Sequence, residues 1–198
     1  MCGIAGIISH RPTSEIRTKL EAAVNCLRHR GPESQGVWLN ENNTVALGHR
    51  RLSIIDLSEA AAQPMRYAER YTIIHNGELY NYTEIRSTLQ KQGYSFTTAS
   101  DTEVIVAAYA AWGTACLEHF DGMFAFAIWD EKEKTLFAAR DRFGEKPFFF
   151  SYDDDQLIFA SEIKSLWTLG VEKEVNRSMI YNFLAIGYTG NPSDPQET

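Results

Sequence analysis

The sequence predicts an α+β fold in layers, with antiparallel sheets carrying helices on their outer faces. Two blocks of short strand-like runs support this class, one from Gly36 to His75 and one from Met123 to Ala160. Helical periodicities lie before, between and after them, with few long βαβ crossovers. The 198 residues, 44% hydrophobic and 12% aromatic, suffice for one well-filled core or one domain with a short extension.

Residues 2–9 read as a buried strand, apolar with two glycines. Ser14 to Arg30 reads as an amphipathic helix, because Ile16, Leu20, Ala23, Val24 and Leu27 share one face and Gly31-Pro32 ends it. Gly36–Leu39, Val45–Gly48, Leu52–Ile55 and Tyr71–His75 are short strands. Asn81–Gln92 is a second helix, with Asn81 as N-cap, Glu84 three residues on and Gly93 as the stop. Thr102–Trp112 is a third, with Val104, Ile105, Ala108, Tyr109 and Trp112 inward. Met123–Trp129, Thr135–Arg140, Pro147–Tyr152 and Leu157–Ala160 form the second strand block. Asp153-Asp154-Asp155 is a hairpin turn, since no second acidic cluster lies near enough in sequence to make a metal site. Glu162–Leu169 and Arg177–Leu184 are helical. Gly187–Thr198, with Gly, Pro, Asn and Ser and few apolar residues, reads as a linker or disordered end.

Composition excludes several functions. The net charge of -7 argues against nucleic acid or an anionic membrane surface as partner. The three cysteines, Cys2, Cys26 and Cys116, form neither a disulfide framework nor a CxxC pair, which points to a reducing compartment. The N-terminus lacks a charged n-region, and its apolar stretch ends by Ser9-His10-Arg11, too soon for a signal peptide. No apolar run approaches the roughly 20 residues of a membrane span. A soluble cytoplasmic protein is expected. The five histidines show no metal-ligand spacing, with His49 and His75 read as structural, and Cys26 and Cys116 are expected to be inert core. GxxxxGK[ST], GxGxxG after a strand, HExxH and GxSxG are all missing from the sequence.

Four segments need a reason beyond packing. Cys2 directly follows the initiator Met. If Met1 is removed, its thiol and a free α-amine share one residue, and both titrate near neutrality, at about 8.5 and about 7.7–8.0. The amine can then take the thiol proton, as in enzymes with an N-terminal nucleophile. Arg51, in Gly48-His49-Arg50-Arg51-Leu52, offers a guanidinium fork for a carboxylate, beside the simpler reading of a charged strand end. Asn76-Gly77 is either a type I′ hairpin turn or a pair of donors, side-chain amide and backbone N–H, for an oxyanion. Ser100-Asp101-Thr102-Glu103 is a helix N-cap, and one of its carboxylates could also bind an ammonium. Arg28-His29-Arg30-Gly31-Pro32 needs only its place at a helix end.

Taken in order, these segments resemble a known family, the glutaminase domain of class II glutamine amidotransferases, specifically of glutamine-hydrolysing asparagine synthetases. The motifs are Met1-Cys2-Gly3-Ile4-Ala5-Gly6, Arg28-His29-Arg30-Gly31-Pro32, Arg51-Leu52-Ser53-Ile54-Ile55-Asp56, Gln63-Pro64-Met65 and Asn76-Gly77-Glu78-Leu79-Tyr80-Asn81. Further on come Ser100-Asp101-Thr102-Glu103, Gly122-Met123-Phe124-Ala125-Phe126-Ala127, Arg140-Asp141-Arg142-Phe143-Gly144-Glu145-Lys146-Pro147 and Ala160-Ser161-Glu162-Ile163-Lys164. Each is modest alone; the nine in this order are specific.

The resemblance implies an N-terminal nucleophile hydrolase fold, a four-layer α/β/β/α sandwich of two mainly antiparallel sheets. It implies Cys2 as nucleophile with its freed amine as base, and Asn76 and Gly77 as the oxyanion hole. Arg51 would hold the α-carboxylate of L-glutamine, Glu78 and Asp101 its α-ammonium, and backbone near Ile54 would contribute. Residues 1–186 would be the glutaminase domain and 187–198 a linker toward a synthetase domain absent from this chain, since no SGGxDS-type pyrophosphate loop is present. The glutaminase domain itself would need no cofactor, with ATP and Mg expected only in the synthetase domain, and a homodimer is compatible with this reading. Gly187-Tyr188-Thr189-Gly190-Asn191-Pro192 lacks the usual Ile-Pro after Gly-Tyr, which keeps sugar or surface-polysaccharide amidation open as the parent's reaction. A glutamine-binding module without activity, if Met1 stays, and an enzyme for another amide remain alternatives.

Overall fold

The computed structural model describes residues 1–187, so the expected linker, apart from Gly187, lies outside the described residues. The chain opens with β1 (Gly3–Ser9), α1 (Ile16–Cys26), β2 (Ser34–Leu39) and β3 (Val45–Arg51). Next come β4 (Met65–Tyr67), β5 (Tyr71–Leu79), α2 (Tyr82–Lys91) and α3 (Asp101–Trp112). Then follow β6 (Gly122–Asp130), β7 (Thr135–Arg140), β8 (Phe149–Tyr152), β9 (Gln156–Ala160), α4 (Ile163–Leu169) and α5 (Arg177–Ile186). One sheet has the order β2-β3-β1-β9-β8 and the other β4-β5-β6-β7, with antiparallel pairing throughout. The first sheet therefore draws β1 and β9 together from opposite ends of the chain.

Side chains alternate between the two faces of each strand, and this alternation builds the layers. Ile4, Val45, Leu47, Ile74, Ala125, Ala127, Trp129 and Phe159 fill the space between the sheets. Their sequence neighbours point the other way. Ala5, Ala46, Ile158 and Ala160 pack under Ile16, Leu20 and Val24 of α1 and Leu166 and Leu169 of α4. Ile73, Phe124, Phe126 and Ile128 pack under Ile85 and Leu89 of α2 and Val104 and Ile105 of α3. Helices, sheet, sheet and helices make the four layers. Burial on both faces explains why Met123–Trp129 reads as an unbroken apolar run.

Several boundaries differ from expectation. The helix expected to reach Arg30 ends at Cys26, and Leu27 to Arg30 form turns, with Arg30 N donating to Leu27 O at 2.9 Å. Leu52–Ile55 is a loop, because its amides go to side chains: Leu52 N to Cys2 Sγ (3.4 Å) and Ser53 N to the Glu33 carboxylate (2.8 Å). Strand β4 has only three residues, too few to show periodicity. Strand β5 runs straight through Asn76-Gly77, which pair with Ala125 and Phe124, so there is no hairpin turn there. Asn81 does not cap α2 with its side chain, which instead bridges His119 O and Asp121 N. The Asp153 carboxylate does receive the N–H groups of Asp155 and Gln156 at 2.8 Å, making the turn between β8 and β9. Cys116 is core, its pKa pushed up to about 12 by burial, whereas Cys26 is only half-buried.

His49 keeps the alternation of Val45 and Leu47 and points between the sheets, where its Nε2 donates to His75 O on β5 at 3.0 Å. Burial pushes its pKa down to about 3. The unfolded chain binds that proton at about 6.5, so between these values it holds more protons than the native state, and stability falls with acidification. We expect the urea midpoint to drop from about pH 6.5 toward about pH 3, less steeply in His49→Gln. Equal slopes in variant and parent would remove His49 as the cause.

Candidate active site

Alternation brings the expected nucleophile and the expected amide donor face to face. Ile4 of β1 and Ile74 of β5 both point into the layer between the sheets. Cys2 shares the alternation of Ile4, and Asn76 that of Ile74, so both side chains enter the same end of this layer. A cavity of about 130 Å³ opens there, lined by Cys2, Asn76 and Gly77 among others. Asn76 is 1% exposed, and neither Nδ2 nor Oδ1 has a hydrogen-bond partner. A buried amide without partners is costly unless a ligand completes it.

The Gly77 amide is left open by the edge of the sheet. Strand β4 pairs with β5 only from Tyr71 to Ile73. Beyond that point, the amides on the abandoned side find side chains instead: His75 N donates to Gln63 Oε1 (2.6 Å) and Leu79 N to Asp101 Oδ2 (3.0 Å). Strand geometry aims Gly77 N–H, midway between them, at the same open edge, where the cavity lies. Glycine is required here because a Cβ would come within 2.2 Å of Met123 O.

The remaining expected residues, Arg51, Ile54, Glu78 and Asp101, line this cavity too. Arg51, at the end of β3, donates to Ser58 O (2.9 Å) and Asp56 O, so it already gathers the loop after β3. Asp56 ties that loop to Ala99 N at 2.9 Å. Ile54 lies on the loop, with its side chain exposed. On α3 the roles divide: Ser100 caps the helix by accepting from Thr102 N (3.1 Å), and Asp101 is released to reach β5.

The expected nucleophile, Cys2, is fixed at several points. Cys2 Sγ meets both Leu52 N (3.4 Å) and Leu52 O (3.6 Å). Arg30 Nε donates to Cys2 O at 2.9 Å, and its terminal nitrogen pairs with Glu162 at 3.2 Å. Ser161 Oγ accepts from Ile4 N at 3.0 Å. Arg30, read from the sequence as a helix end needing no further role, thus clamps the strand that carries Cys2. Burial raises the Cys2 thiol pKa and the Asp101 carboxylate adds to this, while the Leu52 contact, the N-terminal charge and Arg51 oppose it.

Sequence reasoning missed Gln63, Thr102 and Leu52 as site components. Gln63 Nε2 donates to Thr102 Oγ1 (3.2 Å), which also contacts His75 Nδ1 (3.2 Å), closing a bridge behind Asn76. All three fall inside the family motifs, the only signal that marked them. His75, read as structural, lines the cavity with its Nε2 unpartnered, and burial lowers its pKa. Among the described residues no group of three or more His, Cys, Asp or Glu is placed to hold a metal ion, and no helix is long and apolar enough to cross a membrane.

Comparison with known proteins fits this geometry. Residues 1–197 match a family described as glutamine amidotransferase domain. The chain is 38% identical over 197 residues to asparagine synthetase [glutamine-hydrolyzing] 3 of Bacillus subtilis, covering 97% of this chain and 32% of that protein. Asparagine synthetase [glutamine-hydrolyzing] 1 of the same organism is 39% identical, over 98% of this chain and 31% of its own. The amidase chry2 of Gibberella zeae is 38% identical, over 88% of this chain and 27% of its own. The chain therefore spans about a third of the length of the curated relatives it matches. Among solved structures, the B. subtilis glutamine phosphoribosylpyrophosphate amidotransferase superimposes with a TM-score of 0.71 at 25% identity, over 85% of this chain and 44% of that one. The chain thus shares the N-terminal nucleophile amidotransferase fold of that structure. With a match running along nearly the whole sequence and a solved relative of the same architecture, the chain belongs to the glutamine amidotransferase domain family.

Proposed function

We propose that residues 1–186 hydrolyse L-glutamine to L-glutamate and ammonia, and that the ammonia serves an ATP-dependent synthetase domain of the parent protein that forms asparagine. The observation that carries this reading is the Asn76 amide, buried and partnerless in the cavity that Cys2 also lines. The acceptor rests on the names of the two Bacillus relatives.

The chemistry requires removal of Met1, whose side chain lines the cavity. With the Cys2 thiol pKa raised by burial, little thiolate exists at neutral pH, so a base must take the proton during attack. The freed amine is that base. The thiolate adds to the γ-carboxamide carbon, and the oxyanion rests on the Asn76 side chain and Gly77 N–H. The ammonium formed on Cys2 returns its proton to the departing nitrogen, the C–N bond breaks, and ammonia leaves a γ-glutamyl thioester. Water then adds to the thioester carbonyl, the C–S bond breaks, glutamate is released and the thiol is regenerated. Arg51 grips the α-carboxylate, and Glu78 and Asp101 face the α-ammonium.

Asn76→Ala removes one oxyanion donor and is expected to lower kcat by about 10²–10³-fold with a small change in KM. Near-normal turnover would sink that role. Arg51→Lys keeps the charge but loses the two-pronged grip, and glutamine KM should rise about ten- to a hundred-fold with kcat less affected. An unchanged KM would remove Arg51 from the substrate. A form whose N-terminus is extended so that Met1 stays should hydrolyse glutamine at least about 10²-fold more slowly than the processed form, because it lacks the base. Equal rates for the two forms, their masses verified, would point to a different base.

A further inference from the structure

Lys146 lies in the nucleophile's chamber, and the chemistry above does not use it. After β7 the chain wraps around Asp141, whose carboxylate accepts the N–H groups of Phe124 (3.2 Å), Phe143 (3.1 Å), Glu145 (2.9 Å) and Lys146 (3.0 Å). Arg140 Nε also donates to Lys146 O at 2.7 Å. This clasp fixes the backbone and commits the side chain inward. Lys146 is 7% exposed and lines the cavity with Cys2. Among the described residues, the one hydrogen-bond partner of Nζ is Met1 Sδ, at 3.8 Å. A thioether is a weak acceptor for a cation held away from water. Loss of Met1 takes that partner away and leaves Lys146 in the cavity that Cys2 lines.

The other charges around Cys2 have counterparts, Asp56 accepting from Ser58 N and Ala99 N and feeling the Arg51 charge. Arg30 pairs with Glu162. On the reading above, glutamine brings a carboxylate to Arg51 and an ammonium to Asp101 and Glu78. Burial lowers the pKa of His75, with Asp101 opposing this and the Lys146 charge adding to it. The positive charge of Lys146, in the same cavity as Cys2, has no carboxylate partner among the described residues.

We propose that Lys146 is a positioning residue for the nucleophile, its charge holding the Cys2 thiol and the freed Cys2 amine toward their deprotonated, reactive forms. A cation favours the thiolate and disfavours a second cation on the amine, so both effects run the same way. The same repulsion makes the transient Cys2 ammonium a stronger acid toward the departing nitrogen. The freed amine and its proton transfer to the departing nitrogen rest on the glutaminase reading; the effect of the charge on the thiol does not.

The test uses the processed chain, with loss of Met1 verified by mass, and Lys146→Met, Lys146→Gln and Lys146→Arg. Alkylation of Cys2 by iodoacetamide is followed against pH by peptide mass, which separates it from Cys26 and Cys116, and kcat/KM for glutamine is measured over the same series. The alkylation midpoint in Lys146→Met should rise by about one pH unit, and the acid limb of kcat/KM with it, giving about a tenfold loss at neutral pH. Lys146→Arg should keep the parent's midpoint. If Lys146→Met does not fold by circular dichroism, Lys146→Gln carries the same expectation. An unmoved midpoint in the neutral variants overturns the proposal whatever happens to turnover, as does an equal shift in Lys146→Arg. A shifted midpoint in a protein that hydrolyses no glutamine would uphold Lys146 and sink the glutaminase reading instead.

Discussion

Strand β5 outlasts β4, and the site depends on that difference in length. From Ile74 to Leu79 one edge of β5 has no neighbouring strand, yet it lies within the fold, where backbone amides must find partners. Gln63 and Asp101 supply two of them. The amide between, at Gly77, is left facing the cavity. A longer β4 would pair that amide and close the place where a substrate oxygen could sit. The short strand is therefore what converts a sheet edge into a polar pocket.

The second determinant is the alternation of two sheets buried on both faces. Because Ile4 and Ile74 must both enter the layer between the sheets, Cys2 and Asn76 are carried to its rim from opposite sides. Neither position is free to rotate away without exposing an apolar neighbour. His49 adds a polar tie across the same layer, and its low pKa reflects how dry that layer is. The apolar core and the rim that carries Cys2 and Asn76 are thus one continuous layer.

The charged residues divide into those that hold the chain and those that face the cavity. Arg30, Glu162 and Asp141 make their bonds to backbone and to each other, and fix β1 and the Lys146 turn. Arg51 and Asp101 do both, each bonded to backbone while lining the cavity. Such double use keeps the chamber rigid before substrate arrives, which reduces the reorganisation left for the chemical step.

The sequence alone determined the layered α+β class, most strand and helix positions and the family resemblance, because burial periodicity and short motifs are local properties of the chain. It also singled out Cys2, Arg51, Asn76, Gly77 and Asp101 as residue types fit for this chemistry. Its residues alone left Asn76-Gly77 open between a hairpin turn and a pair of oxyanion donors, since the partner that makes this segment a strand, Phe124-Ala125, lies far along the chain. It read Leu52–Ile55 as a strand and Arg30 as a mere helix end, because the groups that claim them, Glu33, Cys2 and Glu162, are brought near only by folding. Only the tertiary structure decided which amides go unpaired, which charges share one cavity, and that Lys146 lines the cavity of Cys2. Those are consequences of how strands from opposite ends of the chain pair, and no local pattern encodes them.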